Sequence, residues 1–137
     1  MKAFTDLEQS KKLAEILSLE SADMHYVRKT HDFIGNPVNG KWSHPKYGNP
    51  DSKYANYIIQ NFESYERIPC WSLAALLDVL QKTTYSIDED ANVMLHSYKT
   101  VEWDLGINNS DLELIIESNP IDACYEMILK LHELKML

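Results

Sequence analysis

An α+β fold is predicted for this 137-residue chain by three observations. Residues 68–80 read as an extended entry followed by a short, nearly all-apolar helix. After that helix the hydrophobic period switches to two, with turn signals between the runs. Behind Asn119-Pro120 the spacing becomes helical again. The resulting architecture is a small antiparallel meander from about residue 84 to 117, covered on one face by the central and C-terminal helices, with a further helix at the N-terminus. The length suits one domain, 1–137.

The N-terminal helix is predicted over 5–18. Thr5 as N-cap and Glu8 at N3 make a capping box, and Leu7, Leu13, Ile16 and Leu17 supply an apolar stripe. Residues 21–67 are different in kind. They hold three of the four glycines (Gly35, Gly40, Gly48), three of the five prolines and three of the five histidines. Six Lys/Arg against five Asp/Glu leave this segment at +1, in a chain of net charge −8. Asn36-Pro37, Asn39-Gly40, Tyr47-Gly48 and Asn49-Pro50 are turn signals. Residues 24–28 are expected to form a short strand. Asn49 and Pro50 can open a helix over 50–64, in which Tyr54, Tyr57, Ile58, Phe62 and Tyr65 follow helical spacing.

Ser72 is the expected N-cap of the central helix. Its hydroxyl can accept an orphan N–H of the first turn. Trp71 and Leu76 then occupy the two positions of a hydrophobic staple. Pro69 biases Ile68 towards extended backbone. Leu73, Leu76, Leu77 and Leu80 share a face, and only Asp78 is charged. Beyond it, Tyr85 and Ile87, then residues 93–98, then Val101, Trp103 and Leu105, then Leu112, Leu114 and Ile116 alternate with polar neighbours. Residues 111–117 also fit a capping box from Ser110 to Glu113, so a helix is the alternative there; period two favours strand. Asn119 as N-cap, Pro120 at N1 and the stripe Cys124, Met127, Ile128, Leu131 and Leu134 define the last helix.

Three segments, Phe4-Thr5-Asp6-Leu7-Glu8-Gln9-Ser10, residues 68–77 (Ile-Pro-Cys-Trp-Ser-Leu-Ala-Ala-Leu-Leu) and residues 119–128 (Asn-Pro-Ile-Asp-Ala-Cys-Tyr-Glu-Met-Ile), together resemble a family of small uncharacterised bacterial proteins often carried by prophages and other mobile elements. The resemblance implies an accessory role in such an element. It implies no cofactor and no catalytic residue.

The acidic balance argues against nucleic acid as a partner, and the longest apolar run, 73–77, is far too short to cross a bilayer. No secretory h-region follows Met1, and Cys70 and Cys124 read as reduced, buried thiols, so a cytoplasmic protein is expected. No phosphate-binding glycine loop or nucleophile elbow occurs. His25, His31, Asp32 and His44 are metal-ligand types within twenty residues. They are candidates on residue type alone, because only the His25–His31 gap approaches the paired spacing of zinc sites and no cysteine joins it. Among the aromatics of 21–67, Trp42 and Tyr47 are expected to stay partly exposed, since Gly40, Pro45 and Gly48 place them in loop.

Two functions follow from these readings. The first is a non-enzymatic protein-interaction module (an inhibitor, immunity factor or regulator) using Trp42 and Tyr47. The second is a small ligand- or metal-binding protein or enzyme that uses the histidine-bearing segment.

Overall fold

The computed structural model describes residues 2–49, 64–98, 102–107 and 112–137. Its element order is α1 (Leu7–Ala14), a 3-10 turn (Leu19–Ser21), β1 (Met24–His31), β2 (Lys46–Tyr47), β3 (Ser64–Cys70), α2 (Leu73–Ile87), β4 (Val93–Tyr98), β5 (Glu102–Ile107), β6 (Ile115–Glu117) and α3 (Pro120–Glu133). The fold is α+β, with two three-stranded antiparallel sheets among the described residues. The chain divides into two compact units, 6–71 and 1–5 with 72–137.

In the unit 6–71 the sheet order is β2-β1-β3. Met24 and Tyr26 on β1 face the same side as their partners Cys70 and Ile68 on β3, and all four are buried. Helix α1 packs along β3, burying Leu13. Its cap lies one residue beyond the predicted one. Asp6 accepts from Gln9 N–H at 2.8 Å, and the Gln9 side chain accepts from Asp6 N–H at 3.1 Å. Thr5 is buried instead. Thr5/Glu8 and Asp6/Gln9 both satisfy the capping-box pattern, and the helix uses the second. The helix is also shorter than predicted, ending at Ala14.

This first sheet was only half visible in the sequence. β1 runs to His31 rather than stopping at Arg28. The predicted helix 50–64 lies outside the described residues, apart from Ser64, which opens β3. Pro69 sits inside β3, where its missing N–H is tolerated because β3 is an edge strand of this sheet among the described residues.

In the other unit β4, β5 and β6 form the predicted meander, with Leu95 opposite Leu105 and Leu105 opposite Ile115. Helix α3 packs on β5 and β6 and against α2. Leu76, Leu80, Leu105, Ile121, Met127, Ile128 and Leu131 make a dry core. Ser72 Oγ caps α2 by accepting from Ala75 N–H at 3.2 Å, and Asn119 Oδ1 caps α3 by accepting from Ile121 N–H at 2.8 Å. The first residues belong here too: Phe4 bridges Ser72, and Lys2 Nζ meets Asp122 at 2.7 Å.

Two boundaries differ from the sequence reading. Tyr85 and Ile87 continue α2 rather than opening a strand, and the sheet begins at Val93. Two alternating residues are too few to separate strand from the last turn of a helix. Residues 115–117 are strand, but Leu112 and Leu114 precede it.

Candidate functional site

The turn-rich segment folds into a long hairpin. β1 leads out and residues 37–47 return beside it. The return is held by Val38 N–H to Thr30 O at 2.9 Å, Gly40 N–H to Lys29 O at 3.1 Å and Ser43 N–H to Val27 O at 2.8 Å, and then by β2. Gly40 is required by this close approach, because a Cβ there would collide with the Lys29 backbone. A register shift between Lys29 and His31 loosens β1 just before the turn.

Asp32 builds the tip. One carboxylate oxygen accepts from Ile34 N–H at 3.0 Å and from Asn36 N–H at 2.8 Å. Gly35 N–H returns to Asp32 O at 3.0 Å, and Gly35 takes a φ of +86° that favours glycine. With its backbone so occupied, the turn leaves Phe33 and Ile34 pointing to solvent at 64% and 65% exposure. Val38 beside them is also exposed.

Trp42 and Tyr47 lie further down the hairpin and differ from each other. Tyr47 is 87% exposed. Trp42 is half-buried and carries the Arg28 guanidinium 5.2 Å from its ring centroid. Arg28 also bonds Glu66 at 2.6 Å. Trp42 therefore anchors a layered Trp–Arg–Glu contact across the sheet as well as presenting one edge to water.

The histidines do not converge. His25 Nδ1 lies 2.8 Å from the Gly48 carbonyl, His31 Nδ1 lies 3.1 Å from the Thr30 hydroxyl, and His44 is exposed. Asp32 is committed to the turn amides. Among the described residues, no three His, Cys, Asp or Glu side chains come together as a metal-binding group. Cys70 is buried beside Tyr26, and burial pushes the Cys124 thiol up to about 12, which disfavours the thiolate.

The two interaction residues expected from the sequence, Trp42 and Tyr47, both lie on the shaft of this hairpin, and the exposed pair Phe33 and Ile34 lies at its tip. The available signal was an apolar pair enclosed by Asp32 and Gly35-Asn36-Pro37, a turn too tight to fold those side chains inward.

Comparison of the chain with family models, with curated proteins and with solved structures returned no match. No helix of the described residues is long and apolar enough to cross a membrane.

Proposed function

We propose that this chain is a non-enzymatic protein-interaction module that acts through the 24–47 hairpin. The observation that carries this reading is the pair Phe33 and Ile34, held outward by the Asp32 turn. Leaving such side chains in water forgoes roughly 1.5–3 kcal/mol each relative to burial, a gain that a partner's apolar pocket can recover. Tyr47 and the exposed edge of Trp42 extend the surface down the shaft. The net charge of −8 speaks against nucleic acid as the partner. An inhibitor, immunity factor or regulator of a cytoplasmic mobile-element system is the role that accords with the family resemblance of the caps and core stripes.

The test compares affinity capture from the native host by the wild type and by the Phe33→Ser/Ile34→Ser variant, with both proteins shown to melt alike. A protein enriched by the wild type and lost with the variant is expected. Identical captures by the two would remove the basis for this reading.

A further inference from the structure

Charge is unevenly spread along the chain: the unit 6–71, with eight Lys/Arg against nine Asp/Glu, is close to neutral at −1. The unit made of 1–5 and 72–137 carries twelve Asp/Glu against five Lys/Arg, a net of −7. The hairpin, over 24–48, carries Arg28, Lys29, Lys41 and Lys46 against Asp32, a net of +3 by sequence, with Arg28 paired to Glu66 of β3. Asp32 has its carboxylate turned to its own backbone amides.

The acidic unit also has an exposed apolar surface. Leu105 and Ile107 are buried on the side of the meander where α3 packs. Strand alternation puts Met94, Gly106 and Ile116 on the opposite side. Leu114 lies over Gly106 on that side, where a Cβ would meet its Cδ2 at 2.5 Å. Met94, Leu114 and Ile116 are all exposed, Leu114 and Ile116 at 58% and 57%, and Glu113 beside them is exposed as well.

We infer that the occupant of the hairpin tip is a second copy of this chain: the apolar-tipped, cation-bearing hairpin of one copy seats on the apolar outer face of the β4-β5-β6 sheet, in the acidic unit, of another. This rests on the reading of the hairpin as an interaction surface and names its partner. Each surface offers what the other lacks. Phe33 and Ile34 are an exposed apolar pair, and Met94, Leu114 and Ile116 are exposed apolar side chains on one sheet face (the platform), with the exposed His96 on the same side. The hairpin and the unit that carries the platform are opposite in net charge, which attracts one to the other and disfavours hairpin-to-hairpin contact. A contact between two different surfaces is heterologous, so it closes into a dimer only if both copies exchange hairpins.

Sedimentation of the full chain from micromolar to near-millimolar concentration tests this. The wild-type mass is expected to rise reversibly from 15.9 kDa towards twice that, and the association to weaken as salt is raised. Phe33→Ser/Ile34→Ser alone and Leu114→Ser/Ile116→Ser alone should each weaken association about tenfold or more, as truncation of central apolar anchors does. Mixed together, the two variants should associate again, because one has an intact platform and the other an intact tip. Lys41→Glu/Lys46→Glu should weaken association without touching either apolar group. Melts of each variant confirm that the exposed substitutions leave the fold intact.

A wild type that stays monomeric throughout overturns the inference. So does a platform variant that associates as strongly as the wild type, since that is tip-to-tip contact. If the wild type is monomeric yet the tip variant still loses a captured protein, this inference fails and the reading of the hairpin stands. If the tip change alters neither, both fall.

Discussion

The indole N–H of Trp71 donates to the Ser21 hydroxyl at 2.9 Å, tying the residue just before α2 to the turn that precedes β1. The rest of the Trp71 side chain is fully buried, so one residue contributes both the largest fully buried side chain among the described residues and a long-range hydrogen bond. Trp71→Ala is expected to cost about 3–5 kcal/mol. Trp71→Phe, which keeps most of the packing and loses the bond, should cost about 1–2 kcal/mol. Trp42→Ala, which gives up only a half-exposed ring and its Arg28 contact, should cost about 1 kcal/mol. Thermal melts of the three variants check the order.

Gly40→Ala should destabilise the hairpin specifically, because the new methyl meets the Lys29 backbone and not a movable side chain. A cost of about 1–3 kcal/mol is expected. Amide exchange should accelerate at Val38, Gly40 and Ser43, whose N–H groups bond β1, more than at the amides of α3.

Thr84 is buried in α2, and its hydroxyl oxygen has no hydrogen-bond partner among the described residues. Thr84→Val keeps the shape and removes the unsatisfied group. Stability should rise by about 1 kcal/mol, read from the shift in a denaturation midpoint.

Alkali should weaken the fold through Cys124 and Tyr26. Burial lifts the Cys124 thiol from 9.0 to about 12. Burial first, and then Cys70 and Asp6, lift the Tyr26 phenol from 10.0 to about 12. Both groups are neutral when protonated, so the folded chain holds protons that the unfolded chain releases. Their contribution is complete below about pH 9 and is lost as the pH climbs towards 12. Cys124→Ala should make denaturation midpoints fall less steeply over that range.

The acidic unit was the more legible half of the sequence. Ser72 and Asn119 stand directly before long apolar stripes, so their capping roles follow from position alone. The alternation of residues 93–98 likewise foretells β4. The sheet of the other unit was harder because its pairing is non-local: Met24 finds Cys70 across more than forty residues. Val27, Tyr65 and Pro69 also blur the alternation of β1 and β3. At the site, glycines and prolines marked the hairpin as turn-rich. The exposure of Phe33 and Ile34 is not legible in the sequence, because it depends on which amides Asp32 accepts, and hydropathy alone reads the same pair as core.

Site-specific photocrosslinking in the native host tests most directly the claim that the hairpin tip is where this protein meets its partner. A benzophenone side chain would replace Phe33 in one variant and the exposed Tyr85 of α2 in another. A discrete crosslinked protein, homodimer included, is expected from position 33 and not from position 85. No adduct at 33, or the same adducts from both positions, would contradict the account.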